Sequence, residues 1–230
     1  MSPWKAPAVF KSESFGENAA KTLSEVLAYI GEKKQPCIIG GYSLAGLFAL
    51  WAATKTDRFS KVAAASPSVW FPGFTEYIKE NNIKTIIPVS DKPVEIGNMT
   101  FKFYQPEKDF GNTNDNSLVT MLQYDEKRFL FTGDISSKRE ESMVNSDKEL
   151  KCDVLKVAHH GSKYSSSEDF LAKASPETAV ISVSADDTAL PDYYITALLN
   201  SVCKNVYRTD SDKTVMITVE NGEICTKTHA

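Results

Sequence analysis

An aspartate, a histidine pair and a serine are the residues of this 230-residue sequence whose types and setting could do chemistry. Residues 128–132 run apolar into Gly133-Asp134, and 25 residues after that aspartate a second run, 154–158, ends in His159-His160-Gly161-Ser162. Two strands that end in Asp and His each fix one ligand at the same edge of a sheet. Their oxygen and nitrogen donors suit Zn²⁺ or Mn²⁺. Neighbours in extended chain point opposite ways, so one of His159 and His160 would bind metal while the other orients a ligand or touches substrate. The same residues suit a capped loop with two solvated imidazoles.

The serine is Ser43, in Gly40-Gly41-Tyr42-Ser43-Leu44-Ala45-Gly46. A short apolar strand before it and an uncharged helix after it make the setting of a sharp turn that lifts a hydroxyl above a sheet. Backbone N–H groups at the helix start, Leu44 first, would then face an oxyanion. Ala45 stands where that pattern has a glycine. The other reading is a Gly-rich turn with a capping serine. A serine hydroxyl needs a base, and downstream the histidines are His159, His160 and His229. Asp91 could supply the acid, although nothing distinguishes it from a turn residue.

The elements that must position these residues change period along the chain. Residues 17–34 place Ala20, Leu23, Leu27 and Ile30 at three- and four-residue steps, which predicts an amphipathic helix. A strand at 37–39, a buried helix at 44–56, a strand at 62–65 and a helix at 74–82 follow. From residue 85 the period is two, predicting strands at 85–87, 100–104, 117–124 and 128–132, with Asp125-Glu126 as a hairpin turn. Helices are expected at 136–146, 166–174 and 192–204, and strands at 153–157 and 178–183. A terminal hairpin turns at Asn221-Gly222. The fold class is α/β, a mixed sheet flanked by helices and drawn from both halves as one body.

The stretch GYSLAGLFALW, with SPSVWF after the next strand, resembles the esterase branch of the α/β-hydrolase superfamily over residues 1–80. That resemblance implies Ser43 as nucleophile, with its acid and histidine later in the chain. NDNSLV at 114–119, LFTGD at 130–134, DVLKVAHHGSKYSSS at 153–167 and AVISVSADD at 179–187 resemble the metallo-β-lactamase-fold domain of the ComEC competence proteins over residues 84–230. This second resemblance implies a metal-dependent hydrolase fold acting on phosphodiesters, with Asp134 as the bridging carboxylate and His159-His160 supplying the next ligand. It places a further site residue near Asp115 and Asn116. That family's H-x-H-x-D-H motif belongs before everything matched, and no histidine precedes His159 in this sequence. The expectation is two partial domains joined near residues 75–84, with a crippled site that holds zinc or manganese weakly or not at all. The alternatives are an esterase using Ser43 and a silent structural or binding protein.

Composition narrows the partners. Lys+Arg number 26 against 30 Asp+Glu, and this net charge of −4 argues against a general nucleic-acid surface. Residues 1–74 carry 8 basic and 5 acidic side chains, so the acidic surplus lies in the second half. The four cysteines form no C-x-x-C pair, as for reduced thiols in a cytoplasmic protein. Residues 36–54 hold 19 positions without a charge, but their glycines and proline read as buried strand–turn–helix rather than a membrane span. Ester or phosphodiester substrates, nucleic acid by resemblance only, no membrane, and self-association through open sheet edges complete the expectation.

Overall fold

A computed structural model describes residues 18–31, 37–42, 44–65, 74–80 and 92–229. Ser43, Asp91 and the strand expected at 85–87 lie outside these residues. The chain divides into two compact units, Met1–Ile87 and Pro88–Ala230.

In the first unit, α1 (Ala19–Ile30), β1 (Cys37–Tyr42), α2 (Leu44–Ala52), β2 (Phe59–Ala65) and α3 (Phe74–Glu80) follow in order. β1 and β2 pair in parallel, with α2 in the connection between them. The uncharged stretch is therefore strand then helix. Among the described residues no helix is long and apolar enough to cross a membrane. α1 buries Ala19 and Leu23, whereas Ala20, expected inward, is exposed. Ile39, Phe48, Ala49, Ala52 and Phe59 complete that small core.

In the second unit seven strands form one sheet in sequence order: β3 (Val94–Ile96), β4 (Met99–Tyr104), β5 (Val119–Tyr124), β6 (Lys127–Phe131), β7 (Val154–Lys156), β8 (Thr178–Ile181) and β9 (Asn205–Arg208). β3 to β6 pair antiparallel and β6 to β9 parallel. The expected mixed sheet exists, but β1 and β2 form a separate sheet, so it is not drawn from both halves. β10 (Thr214–Glu220) and β11 (Glu223–His229) form the terminal hairpin. Asn221 and Gly222 turn it with φ of 53° and 80°, as a tight hairpin requires.

The parallel strands are joined by α4 (Ser137–Val144), α5 (Glu168–Ala174) and α6 (Tyr193–Val202), with a short α7 (Thr209–Asp212) before the hairpin. Met121, Leu130, Leu155 and Ala179, paired in a row across four strands, and Ile181 two residues further along β8 share a core with Met143, Phe170, Leu171, Ile195 and Leu199 of the three helices. The alternate residues, among them Leu122, Phe129, Phe131, Val154 and Val180, point to the other face by the period-two rule. Two strands were not expected. β3 has three residues, below the length at which alternation shows, although Gly97-Asn98 after it is a turn signal. β9 reads Asn-Val-Tyr-Arg, and its pairing with β8, rather than its own pattern, makes it a strand.

Candidate metal and hydrolase site

Asp134 follows β6 through Thr132 and Gly133, the latter at φ 64°. Thr132 Oγ1 donates to the Lys156 carbonyl of β7 at 2.7 Å, and the His159 N–H donates to the Gly133 carbonyl at 3.0 Å. These two bonds clamp the ends of adjacent parallel strands and bring the aspartate turn to the histidine turn. The chain is not extended through the pair. Residues Ala158–Gly161 make a 3₁₀ turn in which His159 (φ 46°, ψ 44°) and His160 (φ 57°, ψ 25°) are both left-handed. Consecutive non-glycine residues in that region cost about 1–3 kcal/mol each and cluster where surroundings over-determine them.

The turn gives the two imidazoles different jobs. His160 Nδ1 lies 2.6 Å from the Ser182 carbonyl, which can only accept, so Nδ1 donates there and, in the neutral imidazole, Nε2 is the nitrogen with the lone pair. That Nε2 is 3.8 Å from Asp134 Oδ1. Asp134 Oδ1 is itself buried with no hydrogen-bond partner. The His159 ring stands 6.3 Å from that of His160, centroid to centroid, at 67°. Of the pair, His160 therefore faces the aspartate with a nitrogen prepared for a ligand.

A buried carboxylate oxygen without a donor and the Nε2 of a neutral imidazole fit a cation between them. Their separation is within twice the ~2.0–2.2 Å bond that zinc makes to nitrogen or oxygen. Two donors are fewer than the three protein ligands of a catalytic zinc site. Among the described residues there is no cluster of three or more His, Cys, Asp or Glu that could hold an ion.

Asp115 and Asn116 make hydrogen bonds within their own loop and to the start of α4. Asp115 is 2% exposed; its Oδ1 accepts the Ser136 N–H at 2.7 Å and its Oδ2 accepts from Asn112 at 2.7 Å. Burial acts to raise its pKa, but these hydrogen bonds and the charge of Lys138 hold it below the usual carboxylate range. Asn116 bridges the Phe110 N–H at 3.0 Å and the Asp109 carboxylate at 2.7 Å. Both residues brace the loop that supports the start of α4.

Sequence reasoning missed Glu140. This fully buried carboxylate of α4 accepts the Ser166 and Ser167 N–H groups at 2.6 and 2.8 Å. Ser165 Oγ donates to the Ile135 carbonyl at 2.7 Å and the Ser137 N–H donates to the Tyr164 carbonyl at 2.7 Å. Four bonds thus zip the segment after Asp134 to the segment after His160. The adjacent serines in SKYSSS, whose backbone needed an acceptor, were the available signal. Lys156, partly buried on β7, donates to the Val157 carbonyl at 2.8 Å. Burial pushes its pKa down to about 8, with the Asp134 charge opposing.

Ser43 is outside the described residues, so no triad geometry is available for it. Beside it, a Cβ on Gly41 would overlap the Ala45 carbonyl, so strand and helix meet too closely there for any side chain. Leu44 opens α2.

The sequence profile of the Metallo-beta-lactamase superfamily matches residues 55–185. The match begins inside the stretch read as esterase-like and crosses the expected join. ComE operon protein 3 of Bacillus subtilis (strain 168) is 32% identical over 130 residues, 56% of this chain and 17% of its own length. Competence protein ComA of Neisseria gonorrhoeae is 40% identical over 84 residues, 36% of this chain and 12% of its own. The chain thus spans less than a fifth of the curated relatives it matches. A crystal structure of the metallo-beta-lactamase fold protein YhfI from Bacillus subtilis superposes with a TM-score of 0.38 at 11% identity, over 94% of this chain and 75% of that one.

Proposed function

The chain belongs to the metallo-beta-lactamase superfamily, and from that membership we propose that it carries part of a metal-dependent hydrolase site of the ComEC type, with little turnover of its own. Asp134 and His160 are two of its metal donors. The observation that carries this reading is the orphaned Asp134 Oδ1 facing His160 Nε2 at 3.8 Å. A bound Zn²⁺ or Mn²⁺ supplies a lowered water pKa and polarises a phosphoryl oxygen, chemistry suited to phosphodiesters. The chain's own residues do the positioning. Ser182 fixes the His160 tautomer, the Gly133–His159 bond sets the spacing, and Glu140 holds the two loops in register. Turnover is weak because the donor set is incomplete. One relative is named a competence protein, which brings nucleic-acid phosphodiesters into the screen, while the net charge of −4 weighs against them.

The test is metal content of the purified, folded chain beside Asp134→Asn and His160→Ala. Zinc or manganese bound by the parent and lost in both variants is expected. A folded parent that takes up neither ion removes the reading.

A second reading, a serine esterase at Ser43 in an α/β-hydrolase-like first unit fused to the second, is favoured by the close strand–helix approach at Gly41. It requires covalent labelling by a fluorophosphonate that disappears in Ser43→Ala; an unlabelled folded chain eliminates it.

A further inference from the structure

On the sheet face turned away from α4, α5 and α6, a cavity of about 450 Å³ lies between the seven-stranded sheet and the β10–β11 hairpin. Leu122, Phe129, Phe131 and Val180 line it from the sheet, and Val215 and Ile217 from β10. A volume of this size, walled by apolar side chains with few polar groups, is that of a small-molecule site. Its polar end is not random. Among the described lining residues Lys156 is the one charged group, and Ser182, just past the end of the neighbouring strand β8, lines the cavity with it. Ser182 is the residue whose carbonyl orients His160, and Lys156 pairs across the sheet with Phe131, three positions before Asp134. Neither Asp134 nor His160 lines the cavity, but its Lys156 ammonium feels the Asp134 charge and its Ser182 holds His160, so the charged end lies toward the candidate metal pair.

From this juxtaposition we propose that the cavity binds the apolar group of an anionic ester, a phosphate ester of an alkyl or simple aryl alcohol, whose phosphoryl oxygen pairs with the Lys156 ammonium. One N–H of that ammonium goes to the Val157 carbonyl, and an ammonium has three donors. A lone cation in apolar walls complements one anion attached to a hydrophobic tail. It does not complement a nucleobase, whose ring edge would be left without hydrogen-bond partners on Phe129, Phe131, Val180 and Ile217. The proposal rests on the hydrolase reading and narrows its substrate class.

Octyl phosphate, titrated calorimetrically into the full chain in chelator, tests binding without metal, so its outcome is separate from metal uptake. One molecule per chain is expected. Ile217→Trp, which fills the cavity, should weaken binding at least tenfold for both octyl phosphate and octanol. Lys156→Met should weaken octyl phosphate tenfold and leave octanol unchanged. Circular dichroism confirms that each variant is folded. Equal affinity for octyl phosphate in parent and both variants overturns the proposal, as does absence of binding to the folded parent. Tighter binding of thymidine 5′-phosphate or an oligothymidylate also overturns it and assigns the site to nucleotides. Sedimentation of the ligand-free chain as a dimer that octyl phosphate fails to dissociate makes a second copy the occupant and likewise overturns it.

Discussion

Asp134 Oδ1 is buried without a donor, and such a group costs about 1–3 kcal/mol in a folded protein. Asp134→Asn removes the charge from that buried, unpartnered position. The expected result is unchanged or raised stability of the metal-free chain, together with at least tenfold weaker zinc affinity. Urea denaturation in chelator and a zinc titration measure the two. A variant that is destabilised in chelator contradicts the assignment of that oxygen as orphaned. Gly161 gives a second test at this scale. At φ 80° its Cβ would sit 2.7 Å from Pro191 Cβ, so Gly161→Ala should cost about 2–3 kcal/mol through backbone strain and the clash together. Thermal denaturation checks it; a neutral substitution would mean the histidine turn is looser than its geometry implies.

Among the elements, α4 does more than cover the sheet. Its Arg139 is fully buried, ion-paired to Glu107 and donating to the Gln105 carbonyl at 2.7 Å, which ties the end of β4 to the helix. Its next residue, Glu140, holds the loop leading into α5. Burial raises the pKa of Glu140 above its ordinary 4.5, opposed by the Ser167 and Ser166 N–H groups. The folded state then holds the proton more tightly than the unfolded chain. The stabilising contribution is full below the unfolded pKa and is lost as pH rises through the folded one. The parent should therefore lose stability relative to Glu140→Gln as pH rises above the ordinary glutamate value of 4.5. Parallel stability curves for the two proteins over that range would refute this. Glu140→Ala, which leaves two buried N–H groups without an acceptor, should cost about 3 kcal/mol.

At the scale of the whole molecule, each unit has its own core. Among the described residues, Phe48 lies in the first of these cores and Leu155 in the second. Calorimetry should show two transitions, one shifted by Phe48→Ala and the other by Leu155→Ala. A single transition shifted equally by both would mean that the units unfold as one. β3 and β9 are the outer strands of the main sheet, and Val94 on β3 is 36% exposed, so self-association is expected through these edges. Monomeric sedimentation at high concentration would exclude it.

The period-two and helical patterns determined most of the elements, because side-chain alternation is a local property of extended and helical backbone. They also placed Asp134 and the histidines at the ends of neighbouring strands. The four ordered motifs made the family legible in advance of any coordinates. Pairing decided the rest. β9 is a strand because β8 supplies its partner, and β1 and β2 pair with each other in a sheet of their own. The choice between His159 and His160 was closed to sequence. It depends on a left-handed turn and on a carbonyl 22 residues away at Ser182. The donors that Asp115 meets, the Ser136 N–H and the Asn112 amide, were likewise closed to sequence. Local sequence sets which groups can do chemistry. Which of them are left unpaired to do it is a property of long-range hydrogen bonding, and only the tertiary structure carries that.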